Sequence, residues 1–301
     1  MTDQAPRRAR SIEEMNDLRR MVVRPEQMDA AVKSFRPRSS DVVFSPYPKC
    51  GTTWLQQAFH TLRTRGDMDF GDISQVVPWI ETSLALGVDI NAEQRANPRG
   101  FKSHMNYHPA RSGVRFVVSI RDPRDALVSM FRFMEGWYLE PGATTVNQFA
   151  RTVLTSHRGD YWNHLISWWE QRENPKVLLL SYEHMSAAPA LHIRKLAAFC
   201  GIPLDDDLLA LTLERSSIAY MQAHKDRFSD TAMREASERL CNLPPGSEVS
   251  KVRLGKVGSY RDELDAETIA RLDTRWTRAI TPKLGFPDYA ALEAELRRRN
   301  G

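Results

Sequence analysis

The sequence predicts an α/β fold: a central parallel sheet flanked by helices, in a single domain. Three observations predict it. Short, continuously apolar runs at Asp41–Ser45, Val114–Ile120 and Lys176–Ser181 read as strands buried on both faces. Amphipathic helical patterns separate these runs. Polar, turn-forming residues gather just after the runs, at the carboxyl ends of the strands where open α/β sheets bind ligands.

The elements follow in order. Met1–Arg20 is polar and charged and lacks the apolar centre of a secretory signal. Arg7, Arg8 and Arg10 form a small basic arm expected to be disordered. With a short helix from Glu26 to Phe35, residues 1–36 are set apart from a main domain over 37–301. After the first strand, Trp54, Leu55, Ala58, Phe59 and Leu62 recur at helical spacing over Thr52–Thr64. Residues 66–98 are mixed, and Gly100–His104 is a short strand ending in polar groups. A helix follows the strand Val114–Ile120, with Pro123 in its first turn and its end near Phe133. Glu135–Thr144 reads as a loop, then helices follow over Thr145–Ser156 and Gly159–Glu173. Beyond the strand Lys176–Ser181 come helices at Ala190–Cys200, stopped by Gly201, and at Leu208–Leu213. Residues 225–258 carry no clear pattern. Asp265–Ile280 is helical, and Tyr289–Arg299 is a last, surface-type helix.

Composition narrows the function classes. The chain of 301 residues carries a net charge of +4. That balance suits an anionic ligand but offers no dense basic stripe or aromatic platform for nucleic acid. No apolar run is long enough to span a bilayer. Three scattered cysteines, Cys50, Cys200 and Cys241, show neither a disulfide framework nor metal spacing, which favours a reducing cytoplasm. No metal site is expected.

Chemistry concentrates at Pro48-Lys49-Cys50-Gly51-Thr52-Thr53-Trp54. A strand, a tight loop and a helix start put unpaired backbone N–H groups at one point, where they bind anions. Gly51 lets the backbone approach a phosphate, and Lys49 adds a full charge. The order is not that of a Walker A loop, which places lysine after the second glycine. A second cluster, Ser119 to Ser129, delivers Arg121 from a strand end, with Ser129 two turns into the next helix. Arginine forks suit phosphate oxygens. Arg124 and Asp125 read as ordinary charges of a surface helix. Lys251 to Arg261 interleaves two glycines with cations, as a loop closing on an anion would. Phe101-Lys102-Ser103-His104 places Lys102 and His104 on one strand face.

These segments, in this order, resemble the motifs of cytosolic-type sulfotransferases, which use 3′-phosphoadenosine 5′-phosphosulfate (PAPS). Pro48–Trp54 resembles their 5′-phosphosulfate loop, and Arg121 with Ser129 their 3′-phosphate motif. Lys251–Arg261 resembles their C-terminal R-K-G-x-x-G signature, with Leu254 where lysine is usual, and Lys102-Ser103-His104 resembles their K-[TS]-H element. The resemblance covers roughly residues 41–261 and implies the P-loop-like sulfotransferase fold. It implies His104 as the base, and Lys49 with Lys102 as catalytic cations. It further implies a cofactor site of Lys49, Cys50, Gly51, Thr52, Thr53, Trp54, Arg121, Ser129, Arg253, Leu254 and Gly255, with Tyr182, Trp54 and Ser217 around the adenine.

The implied activity is sulfuryl transfer from PAPS to a phenol, alcohol, steroid, amine or glycolipid. Ile218 departs from an aromatic residue in the adenine segment, and Cys50 departs from the commoner serine. A thiol at a helix start is expected to have a lowered pKa and to be oxidisable. Phe70, Val76, Val77, Trp79, Phe133, Trp137, Tyr138 and Leu139 are candidates for an apolar acceptor pocket. The dimer signature of the resembled enzymes is not evident, so the oligomeric state stays open. The alternatives are a P-loop-type nucleotide kinase or a non-catalytic nucleotide-binding module.

Overall fold

A computed structural model describes residues 5–109, 113–155, 160–247, 251–252 and 255–301. Four strands, β1 (Val42–Phe44), β2 (Gly100–Lys102), β3 (Arg115–Ile120) and β4 (Val177–Ser181), form a parallel sheet in the order β2-β1-β3-β4. Every pair is parallel, with Val43 opposite both Phe101 and Phe116. Strands β1, β3 and β4 are largely apolar because both faces are covered. Val43, Phe116, Val118 and Leu179 point into one core. Val42, Phe44, Val117 and Leu180 point into the other. The chain leaves β1 toward β2 on one side and later passes from β3 to β4 on the other. The reversal lies between β1 and β3, so the crevice above those two strand ends is where this topology places a ligand.

Helix α3 (Thr52–Thr64) begins directly at the loop after β1. Helix α4 (Ile73–Val76) is a single capped turn. Helix α5 (Pro123–Trp137) starts at Pro123 as expected but extends past Phe133 into the segment read as a loop. Its apolar periodicity continues through Met134 and Trp137, both buried. The last helix, Tyr289–Asn300, is not a surface helix. It packs on β4, burying Tyr289, Leu292 and Leu296.

The N-terminal segment departs from expectation. Helix α1 (Ile12–Val22) forms where only a charged arm was read, and α2 (Pro25–Ser34) follows it. The arginine arm is ordered: the Ala9 N–H donates to the Tyr138 carbonyl at 2.8 Å, and the Glu140 N–H donates to the Ala9 carbonyl at 2.8 Å. Arg7 pairs with Glu14 at 2.7 Å. Met15, Val22 and Phe35 join the core. The dense charges of Glu13, Glu14, Arg19 and Arg20 masked a helix whose acids sit in the first turn and bases in the last, matching the helix dipole. Another helix, Thr231–Cys241, occupies part of the segment without a pattern.

One buried ion pair ties the strand ends on the far side of the sheet. Arg99 donates from Nε and Nη2 to both Asp41 oxygens, at 3.0 and 2.7 Å. Its Nη1 donates to the Asn91 carbonyl at 3.0 Å. Both residues are essentially inaccessible. Arg99→Ala would leave the Asp41 carboxylate buried without its partner, and should cost about 3–5 kcal/mol of stability, read from the midpoint of denaturant unfolding. A shift below about 1 kcal/mol would mean that water or a neighbour replaces the guanidinium.

Candidate active site

The β1–α3 loop holds the site's first half. Lys49 and Gly51 both take positive φ, 68° and 96°, and Gly51 is the N-cap of α3 with no side-chain cap. A Cβ at Gly51 would lie 2.9 Å from the Tyr182 ring and 3.3 Å from Ser119 Oγ. Any larger residue would therefore be strained and would fill the space at the helix start. The Ser119 hydroxyl donates to the Cys50 carbonyl and fixes the loop from below. The Thr52 hydroxyl is buried with no partner.

Arg121, delivered by β3, reaches the same loop. Its Nη1 donates to the Lys49 carbonyl at 3.0 Å and Nη2 to the Lys256 carbonyl at 3.3 Å. Its guanidinium lies 4.2 Å from the centre of the Tyr182 ring, and its buried Nε has no partner. Ser129 faces the same cavity from α5. Asp125 is not a surface charge. It is buried, and its carboxylate accepts from Gly258 N at 2.6 Å, Tyr260 N at 3.0 Å and Ser259 Oγ at 3.1 Å. It anchors the glycine-containing loop to α5.

The opposite wall comes from β2. The Lys102 ammonium stands 3.7 Å above the Trp79 ring, and that ring meets His104 edge-on at 5.2 Å. His104 Nδ1 lies 2.8 Å from the Pro46 carbonyl. A carbonyl only accepts, so Nδ1 carries the proton and Nε2 keeps its lone pair. Burial, with Lys102 nearby, holds the His104 pKa well below the usual histidine value, so the ring is neutral. The Glu81 carboxylate accepts from His104 N at 2.7 Å and Ser103 Oγ at 3.1 Å, which fixes the backbone that carries the histidine.

These walls enclose one cavity of about 760 Å³. Lys49, Gly51, Thr52, Thr53 and Trp54 line it from the loop; Lys102 and His104 line it from β2. Arg121, Ser129, Tyr182, Ser217 and Gly255 complete the set that the structure brings together. Arg253 and Leu254 lie outside the described residues. His108 is exposed and lies apart from the cavity.

Cys50 does not face the cavity. It is fully buried, and burial pushes its thiol up to about 12, the reverse of the expected lowering. Desolvation outweighs the helix terminus and the nearby Arg121. Of the acceptor-pocket candidates, Trp79, Phe133, Trp137 and Tyr138 line the cavity. Phe70, Val76 and Val77 are instead core residues under α3, and Leu139 pairs with Ala9.

The electrostatics are lopsided. Lys49, Lys102, Arg121 and Lys251 share the cavity wall. Burial, then Lys251, Arg121 and Lys102, pull the Lys49 pKa down to about 7. Its ammonium rests 4.1 Å from the Phe133 ring centre and makes no ion pair among the described residues. Asp230 is the counter-ion of the other lysines: it pairs with Lys251, and with Lys102 at 3.5 Å. Burial pushes its pKa up, but Lys102 and Lys251 prevail and hold it well below the ordinary carboxylate range. Asp230, Glu81, Lys251, Arg19 and Met28 were not singled out as site residues from sequence. Asp230 and Lys251 fall in the unassigned stretch, Arg19 comes from the supposed arm, and Met28 from the short helix after it.

Comparison with known proteins agrees with this geometry. The family profile described as sulfotransferase domain matches residues 39–282. The chain is similar to human Sulfotransferase 1C2, with 23% identity over 274 residues, 86% of this chain and 90% of that protein. It superposes on retinol dehydratase in complex with androsterone and inactive cofactor PAP with a TM-score of 0.70, at 19% identity over 92% of this chain and 96% of that one. For mouse sulfotransferase SULT7A1 complexed with PAP the TM-score is 0.68, at 20% identity over 92% and 94% of the two chains.

Proposed function

This chain belongs to the sulfotransferase family, an enzyme moving a sulfuryl group from PAPS to a small acceptor, and we propose which of its residues perform the transfer. The observation that carries the assignment is the excess of unsatisfied donors around one uncapped helix start. Thr52 Oγ1 and Arg121 Nε are buried without partners, Lys49 lacks an anion, and Gly51 keeps the approach open. Buried donors left this way cost stability unless a ligand accepts from them. PAPS supplies those acceptors, its phosphosulfate end at the helix start and its 3′-phosphate at Arg121.

The loop N–H groups from Gly51 to Thr53 and the Thr52 hydroxyl hold the 5′ end. Lys49, close to the bridging oxygen, neutralises the charge that grows there as the bond to sulfur breaks. Arg121, Ser129, Arg253 and Gly255 hold the 3′-phosphate, with Leu254 and Lys256 on the same loop. Trp54, Tyr182 and Ser217 enclose the adenine, and Cys50 serves only through its backbone. His104 accepts the acceptor's proton at Nε2, and Lys102 sits beside it as a second cation. Asp230 holds Lys102 and Lys251 in the absence of nucleotide. The family match leaves the kinase and non-catalytic alternatives without support.

The acceptor enters between the β2 end and helices α1, α2 and α5. Its walls are aromatic and thioether side chains, suited to a partly apolar alcohol or phenol. Cytoplasmic residence fits three buried free thiols, and among the described residues no helix is long and apolar enough to cross a membrane.

The direct test is transfer of labelled sulfate from PAPS to a mixed panel of phenols, aliphatic alcohols, amines and glycolipids. Sulfation of none of them, together with no binding of adenosine 3′,5′-bisphosphate (PAP), would sink the assignment. PAP binding should also be pH-linked. Lys49 titrates near 7 without ligand, and phosphate charge would raise its pKa. The nucleotide therefore prefers the protonated lysine, so affinity is full below pH 7 and declines as pH rises above it. Near pH 8, binding should take up about one proton, measured by calorimetry in buffers of different ionisation enthalpy. Lys49→Met should remove most of that uptake.

A further inference from the structure

Lys251 stands just before the glycine segment. The signature that the segment resembles begins at Arg253, so the resemblance gives Lys251 no role. The structure nevertheless places its side chain in the wall of the active-site cavity, only 7% exposed. Its ammonium pairs with one oxygen of the Asp230 carboxylate, and the Lys102 ammonium lies 3.5 Å from the other oxygen. Lys102 and Asp230 are buried as well. Lys102 in turn stands over the Trp79 ring, which meets His104. Direct contacts therefore tie Lys251 to the wall that carries the proposed base. Lys256, at the far end of the same segment, accepts from Arg121 through its carbonyl. The segment thus starts beside Lys102 and reaches the Arg121 side of the cavity only later.

Two features of this cluster point to a ligand. Its charge does not balance: one carboxylate serves two ammoniums, each with three donors. Among the described residues, Lys251 Nζ has no acceptor besides that carboxylate. A buried ion cluster adds little to stability, since apolar side chains of similar size would hold the fold as well. Asp230 also has a grip independent of the lysines. Its Oδ1 accepts from the Ser74 hydroxyl at 2.8 Å. Its backbone is left-handed, with φ of 49°, a conformation that Asp and Asn tolerate best among residues with side chains. The carboxylate stands between the active-site cavity and a second cavity of about 1040 Å³. Ser74 keeps it in place when the lysines turn away.

We propose that Lys251 joins Lys102 in gripping the sulfuryl group of PAPS, and that the sulfuryl oxygens take over both ammoniums from the Asp230 carboxylate. This inference rests on the proposed placement of the sulfuryl group beside Lys102 and His104. Two ammoniums arranged on the two oxygens of a carboxylate are equally arranged for two non-bridging oxygens of a sulfuryl group. During transfer, the acceptor oxygen bonds to sulfur while the bond from sulfur to the 5′-phosphate oxygen breaks. The bonding pair leaves with PAP, and the acceptor's proton goes to His104 Nε2. Lys102 and Lys251 hold the sulfuryl oxygens throughout, which leaves Lys49 to answer the charge on the leaving oxygen.

The test compares PAPS with PAP on the full-length enzyme, without acceptor, by calorimetry. The two nucleotides differ by the sulfuryl group alone. Lys251→Met should weaken PAPS binding by about tenfold or more and leave PAP binding within about twofold. Asp230→Asn should act in the opposite sense and tighten PAPS binding several-fold, with a smaller change for PAP. The competing charge is gone, whereas asparagine tolerates the left-handed backbone and still accepts from Ser74. Circular dichroism confirms the fold of each variant, and should one fail to fold, the other decides. Equal losses for PAPS and PAP in Lys251→Met, or no loss for either, would overturn the proposal. So would an Asp230→Asn enzyme whose PAPS affinity is unchanged or weaker. A wild-type enzyme that binds neither nucleotide would instead count against the sulfotransferase assignment.

Discussion

His104→Ala should lower turnover by about two to four orders of magnitude while PAP still binds. The expectation rests on the proton inventory of the ring. Nδ1–H is committed to the Pro46 carbonyl, so Nε2 is left to accept a proton from the acceptor hydroxyl. The ring's own pKa is held low by burial and by Lys102. The free enzyme therefore keeps a neutral base well below pH 6.5, and the acid limb of kcat/KM should fall below the value of an ordinary histidine. Uncharged, the ring also adds no further cation to a wall that already holds Lys49, Lys102, Arg121 and Lys251 among others. His104→Gln retains hydrogen-bonding capacity at similar size but cannot take the proton, so it should be nearly as slow as the alanine variant. Near-normal sulfation by His104→Gln would take the histidine out of its assigned role.

Lys49→Ala should cost about two or more orders of magnitude in kcat, with a smaller loss of PAP affinity. Lys49 differs from Lys102 and Lys251 because Asp230 does not pair with it, and its ammonium rests against the Phe133 ring. Its interaction grows as charge builds on the leaving oxygen, which is the condition for lowering the barrier and not merely tightening the ground state. Lys102→Ala removes a cation already paired with Asp230, so its effect should be the smaller of the two. Steady-state rates and PAP titrations of both variants decide the point. A Lys49→Ala enzyme that loses only affinity, with kcat intact, would make the lysine a ground-state binding group.

Much of this architecture was legible before any coordinates. Strands β1, β3 and β4 declared themselves because both sheet faces are buried, which makes them largely apolar, whereas β2 showed only as a short strand ending in polar groups. The loop after β1 was legible because its chemistry is local: Lys49, Gly51 and Thr52 act within four residues of one another. What escaped was long-range or masked by charge. Helix α1 sets Ile12, Met15, Leu18 and Val22 among dense charges, and its packing against the helix Thr231–Cys241 could not be read from either segment alone. Asp125 looked like one more surface acid because its three donors lie more than 130 residues away. Asp230 had no local signal at all: its partners arrive from α4's Ser74, from β2 and from the loop beyond it. Cys50 was misjudged because the field of a helix terminus can be inferred from sequence whereas the degree of burial cannot.

The anchorage of residues 258–260 on Asp125 has a practical corollary for engineering. Anyone exchanging the segment around Gly255 for that of a relative would be transplanting half of a joint. A donor loop with different backbone spacing would strand a carboxylate in a dry interior, or leave its own amides facing nothing. Either fault costs about 1–3 kcal/mol for each unsatisfied group. Chimeras of this enzyme should therefore be cut so that the middle of α5 and the glycine segment travel together.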